Sequence, residues 1–311
     1  MRAIRRLPDP EGVSRAAAQD LVELARAAIA ERGRFCVALS GGSTPRRMYE
    51  ILAEAPRWAQ LDWRRVEVFW GDERAVGPEH PESNYGVAAS VLLGKLGVMP
   101  DRIHRIQGEL ADPEEAAARY QDELSRVFAV PEDGLPPIFD LIFLGMGADG
   151  HTASLFPYSQ ALTERRRWVV GYTVARLGKT RITMTPPVLN RAAEIRLLVT
   201  GADKAGSLRE VIEGPREPER LPVQLVAPEA GRLVWLVDRA AAAARSGPTR
   251  LTESGPRLAV SKPHAPQHVA GPPTALAGVP DGSGRARAFH AVRVCLHRIA
   301  LPPRIACWMV G

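Results

Sequence analysis

Apolar residues recur along this chain in blocks of five or six, each of strand length. Phe35–Leu39 and 233–237 are two such blocks, and Val66–Trp70, 139–144 and 195–200 are three more, each with one charged residue inside it. A continuous apolar run bounded by turn residues suits a strand buried on both faces of a parallel sheet. Between the runs the period changes to that of a helix. Leu21, Leu24, Ala25 and Ala28 share one face of a helix that Ser14 is expected to cap and Gly33 to end. Pro45 suits the first turn of a second helix running to about Ala53. Further helices are predicted over 84–93, over Pro113–Phe128 behind the cap Asp112, and over 204–212. Segments 169–173 and 181–185 read as strands, and 103–106 as a short one. Strands alternating with helices define an α/β fold: a three-layer, mainly parallel, Rossmann-like sheet flanked by helices.

The pattern stops near residue 244. Over 246–287 proline, glycine, serine and arginine replace periodic apolar positions, a composition that buries too little surface to offset chain entropy. Residues 245–311 are therefore expected to be a low-complexity basic tail, disordered or loosely docked. Its last stretch, 289–311, turns apolar again, and the sequence does not say what it binds. Charge changes the picture only once it is divided. The chain carries +6 overall, with 41 basic and 35 acidic residues. Nine basic residues and two acids lie beyond position 244, so 32 basic and 33 acidic residues remain in the main body. The main body has no nucleic-acid signature. No apolar run is long enough for a transmembrane helix, which argues against a membrane partner. The N-terminal MRAIRRLPDPEG lacks the apolar core of a signal peptide, so a cytoplasmic protein is expected. Cys36, Cys295 and Cys307 lie far apart, which excludes a disulfide framework and a cysteine zinc site.

The chemistry gathers at the ends of the apolar runs. The run at 139–144 breaks into a turn with Gly145, Gly147 and Gly150, and within it Asp149 stands two residues before His151. The glycines match a dinucleotide fingerprint by spacing alone. Pro157 denies the helix that the fingerprint requires, and no acid ends the next strand. A loop histidine is often satisfied by a backbone carbonyl, but one beside a carboxylate at the end of a buried strand fits a general base oriented by Asp149. No spacing supplies the three or four ligands of a zinc site. Ser40, Gly41, Gly42, Ser43 and Thr44 form a strand-to-helix turn, either an ordinary connection or an anion cradle of backbone amides and hydroxyls. It lacks the Gly-Lys-Ser/Thr ending of a Walker loop. Asp72, Glu73 and Arg74 follow another strand, where a solvated charge cluster is the plain reading. Lys204, one of four lysines against 37 arginines, follows a third. Arg181 opens a strand, where an edge salt bridge is the plain reading. Strand-to-helix junctions of a parallel sheet all emerge on one edge, so these groups are expected to be neighbours. A phosphate cradle beside an imidazole base implies an enzyme acting on a small phosphorylated metabolite.

With these residues in view, the chain resembles 6-phosphogluconolactonases, within the glucosamine/galactosamine-6-phosphate isomerase-like superfamily. The motifs that carry the resemblance are VALSGGSTP, VFWGDERAV followed by SNYG, DLIFLGMGADGHTASLFP, RITMTPPVLN, GADKAGSLREVI, and LPVQL with WLVDRAAA. They span roughly residues 10–244, so 1–244 is expected to be a sugar-phosphate lactonase domain. The resemblance implies hydrolysis of 6-phospho-D-glucono-1,5-lactone in the oxidative pentose phosphate pathway without a cofactor. It assigns Ser40, Gly41, Gly42, Ser43, Thr44, Arg181 and Lys204 to the substrate phosphate. His151 falls to the base, and Asp72 and Arg74 to positions facing the sugar. Either Arg74 or the amides of the 145–150 turn would stabilise the oxyanion. Glucosamine-6-phosphate deaminases share this core but carry an acid shortly after the histidine, and 152–159 contains none. A non-catalytic sugar-phosphate sensor would need the cradle but neither Asp149 nor His151. The 67 residues beyond 244 depart from the family, as an extension, a partner-binding tail or a stretch outside its natural reading frame.

Overall fold

A computed structural model of the chain describes residues 2–54 and 61–244; the expected tail at 245–311 lies outside the described residues. Six strands form one all-parallel sheet: β1 (Arg2–Leu7), β2 (Phe35–Leu39), β3 (Val66–Trp70), β5 (Leu141–Gly145), β8 (Glu194–Val199) and β9 (Arg232–Asp238), in the order β1-β9-β8-β5-β2-β3. Every residue of β2 and β3 is buried, Glu67 of β3 included, as expected of strands covered on both faces. The expected fold class holds: a parallel sheet flanked by helices, with its core between the layers.

The chain moves outward from β2 to β3 and then reverses through β5 to β8 and β9. The order therefore switches between β2 and β5, which pair in parallel at Val37–Leu141 and Ala38–Ile142. The loops that leave these two strands must diverge, and the crevice between them is where open α/β sheets bind ligands.

A second, antiparallel sheet holds β4 (Asp72–Arg74), β7 (Lys179–Met184) and β6 (Val169–Val174), in the order β4-β7-β6. This corrects the expectation that all candidate groups occupy junctions of one sheet. Asp72 and Arg74 leave β3 through Gly71 and pair with Thr183 and Arg181 across the new ladder. The strands expected at 169–173 and 181–185 belong here because a tight turn joins them, and a tight turn permits only antiparallel pairing.

Two local expectations shift. Helix α1 (Pro10–Arg32) starts earlier than Ser14: the Asp9 side chain accepts the Gly12 N–H at 2.7 Å, with Pro10 in the first turn. Ser14 lies inside the helix, its Oγ donating to Pro10 O at 2.9 Å and to Thr44 O at 3.1 Å. It ties α1 to the start of α2 (Ser43–Glu54). The short strand expected at 103–106 reduces to one bridge between Ile103 and Val68. The Asp112 cap and the Gly33 terminus stand as expected, Gly33 in the left-handed region at φ 78°.

Candidate active site

The switch-point crevice is a cavity of about 230 Å³ lined by Ser40 to Pro45, Asp72, Arg74, Asn84, Gly145 to Gly147, His151, Ala153, Thr200 and Lys204, among others. The parallel sheet thus brings the four junction groups together. Asp149 stands behind His151 instead of lining the cavity, and Arg181 lines an adjoining cleft with Val76, Glu82 and Lys179. A larger cavity of about 380 Å³ near Val211 and Gln224 gathers no titratable pair.

His151 is delivered by β5 and held by its own loop. The Gly147 N–H donates to the His151 carbonyl at 2.9 Å, and Asp149 Oδ1 lies 2.5 Å from Nδ1 of the imidazole. The loop closes this tightly only because position 147 has no side chain: a Cβ there would stand 2.1 Å from Nδ1 and 2.6 Å from Asp149 Oδ1. With Nδ1–H donating to the carboxylate, Nε2 is the nitrogen that carries the lone pair. The ring stacks on Phe156 with centroids 4.4 Å apart. Burial pushes the imidazolium below its usual range. The Asp72 charge opposes that shift, while Arg181, Arg74 and Lys204 reinforce it, so His151 is neutral at pH 7.

The 40–44 turn sits opposite. Tyr49, from α2, donates its hydroxyl to Ser40 O at 2.6 Å and accepts the Ser40 N–H at 3.2 Å. Ser40 therefore offers its hydroxyl and not its amide. That hydroxyl is buried, in a residue 5% exposed, and has no hydrogen-bond partner among the described residues. An orphaned buried hydroxyl facing the first turn of a twelve-residue helix fits an anion. Glycine is required at 41 for a reason other than anion approach: a Cβ would lie 1.9 Å from Asn84 Oδ1. Thr44 and Thr200 join their hydroxyls at 2.8 Å, tying the cradle to the end of β8. Lys204 Nζ donates to Thr200 O at 3.3 Å.

Arg74 and Arg181 are directly paired across β4 and β7. Like charges so placed repel. Among the described residues neither makes a salt bridge; Arg74 donates to Glu82 O and Arg181 to Thr180 O. Burial, then the charge of Arg74, lowers the Arg181 guanidinium below its usual value. A bound anion would relieve this pair.

Sequence reasoning missed the residues that hold these groups. Ser154 Oγ donates to Asp72 Oδ2 at 2.6 Å, and Asn84 Nδ2 donates to the Asp72 carbonyl at 2.9 Å. Glu73, passed over as part of a solvated cluster, is 2% exposed. Its carboxylate accepts the N–H groups of Arg74, Asn84 and Tyr85, each at 2.8 Å. Burial raises its pKa. It fixes the segment that presents Asn84. Asn84 and Ser154 each had one signal, a place in a quoted motif: Asn84 in SNYG and Ser154 in DLIFLGMGADGHTASLFP.

A doubly wound sheet whose switch-point cavity gathers a glycine-rich turn opening a helix, Arg74, Lys204 and an imidazole held by a carboxylate fits a sugar-phosphate enzyme class. The family model for glucosamine-6-phosphate isomerases and 6-phosphogluconolactonases matches residues 8–235, and the chain belongs to that family. Similar relatives include 6-phosphogluconolactonases. The one from Synechocystis is 44% identical over 215 residues, 69% of this chain and 86% of that protein. The one from Nostoc is 40% identical over 218 residues, covering 70% and 87%. The solved structure of 6-phosphogluconolactonase from Trypanosoma cruzi matches with a TM-score of 0.69 at 28% identity, over 78% of this chain and 96% of that one.

Proposed function

We propose that this protein hydrolyses 6-phospho-D-glucono-1,5-lactone to 6-phospho-D-gluconate, with His151 as general base. The observation that carries the proposal is the imidazole held by Asp149, lining one cavity with the orphaned Ser40 hydroxyl and the residues opening α2. The phosphate is held by the 41–44 amides, the hydroxyls of Ser40, Ser43 and Thr44, and Lys204, with Arg181 supporting it from the rim. Phosphate anchored at one end fixes the lactone carbonyl near Nε2 of His151. The imidazole takes a proton from water as the water oxygen attacks C1. The imidazolium then returns that proton to the ring oxygen as the C1–O bond breaks. Asp149 keeps the proton-bearing Nδ1 turned away from the substrate.

For the oxyanion, Arg74 is assigned ahead of the Gly147 and Gly150 amides. Gly147 N–H is committed to His151 O and Gly150 N–H to Gly147 O, whereas the Arg74 guanidinium lines the cavity without a carboxylate partner among the described residues, its Nη1 donating to Glu82 O. Asp72, pinned by Ser154 and Asn84, faces the sugar hydroxyls. A deaminase would need an acid after the histidine, and 152–159 supplies none. The proposal sets the protein in the cytoplasm, a reducing setting with which the buried free thiol of Cys36 is compatible.

A positioned base contributes about 10²–10⁴-fold. His151→Asn should lose lactonase activity by about that factor while melting at the wild-type temperature. Near-normal turnover by a folded variant would remove His151 from the role of base.

A further inference from the structure

Asp149 has a second partner. Arg176, in the turn between β6 and β7, donates Nη2 to Asp149 Oδ2, the oxygen that His151 does not use. The same guanidinium lies over the Phe156 ring, 5.3 Å from its centroid. Phe156 in turn stacks on His151. Imidazole and guanidinium thus both pack against the Phe156 ring, and the Asp149 carboxylate bridges them. Packing on a shared aromatic ring helps to fix both neighbours.

We propose that Arg176 is a positioning residue for the His151 base: it holds Asp149 against Nδ1 and offsets part of its negative charge, keeping the imidazole in its proton-accepting form. The inference rests on His151 being that base. A carboxylate beside an imidazole stabilises the imidazolium. Unopposed, Asp149 would tend to keep His151 protonated, and a protonated base accepts nothing from water. Arg176 weakens that effect while leaving the hydrogen bond that sets the tautomer. The other charges acting on His151 come from separate elements: Asp72 and Arg74 on β4, Arg181 on β7, and Lys204 after β8. Arg176 is distinguished by acting through Asp149. Its side chain is 46% exposed, so replacing it removes little buried surface.

The test titrates the His151 imidazole by nitrogen NMR in the unliganded full-length protein, for wild type, Arg176→Gln and Arg176→Lys, beside pH profiles of kcat/KM. Glutamine removes the charge and retains a donor. Its His151 midpoint should rise by about half a unit, a roughly threefold change in proton affinity expected for a half-exposed ion pair. The acid limb of kcat/KM should move up in step with KM nearly unchanged. Lysine keeps the charge without the planar fork and should restore much of the wild-type midpoint. A midpoint that stays put or falls in Arg176→Gln overturns the inference. So does a loss confined to KM, which would make Arg176 a substrate contact. The titration needs no turnover, so it decides the role of Arg176 even if the lactone proves not to be the substrate.

Discussion

At the residue scale, the site depends on side chains that hold other side chains. Asp72 keeps its orientation through Ser154 and Asn84, and His151 through Asp149. Ser154→Ala removes one bond to Asp72 and little volume. It should lower kcat several-fold with a smaller change in KM, because charge-assisted hydrogen bonds to a carboxylate are among the stronger ones; unchanged kcat would mean that Asp72 needs no such support. The pH dependence has a definite sign. Burial lowers the His151 pKa, so the neutral base persists below the ordinary histidine range and is lost only as pH falls through the depressed value. The acid limb of kcat/KM should accordingly lie below about 6.5, the unperturbed histidine value; a limb above it would mean that Asp72 and Asp149 outweigh burial. Of these residues, His151, Asp149 and Asp72 were legible as polar groups ending buried runs. Ser154, Phe156 and Arg176 act through contacts made only when the chain folds; the first two lie in a quoted motif that gives them no role, and nothing in the local sequence marks Arg176.

At the element scale, legibility followed burial. Strands β2, β3, β5, β8 and β9 are covered on both faces and read as predominantly apolar runs, though β3 carries Glu67 and β8 carries Arg196. Two strands were invisible. β1 carries three arginines in six residues and pairs on one side only, with β9, so its backbone ladder makes the strand and not its pattern. β4 is Asp-Glu-Arg throughout, held by pairing with β7 and by the three amides on Glu73. Docking of α1 on the sheet hinges on Arg196 of β8, which is 2% exposed and pairs with Asp20 of α1 at 2.5 Å and Glu194 at 2.6 Å. Breaking such a pair leaves buried carboxylates under-compensated. Arg196→Ala should cost about 3 kcal/mol of stability by denaturant unfolding, at the low end because Arg5 and Arg232 still reach the two carboxylates. A loss below about 0.5 kcal/mol, typical of surface substitutions, would contradict the account.

At the scale of the whole molecule, function follows from where the strand order reverses. The β2 and β5 loops diverge at the switch point, which sets the anion cradle opposite the imidazole. Every residue of the proposed site lies within the first 244, so a chain ending there is expected to hydrolyse the lactone as the full chain does; loss of folding on truncation would show that the remaining 67 residues support the core. Comparing lactone consumption by the full-length protein with spontaneous hydrolysis, and running glucosamine 6-phosphate in parallel, tests the central claim most directly. The account predicts lactone loss far above background and no ammonia from the amino sugar. Lactone loss at the background rate, or ammonia released from glucosamine 6-phosphate, would contradict it.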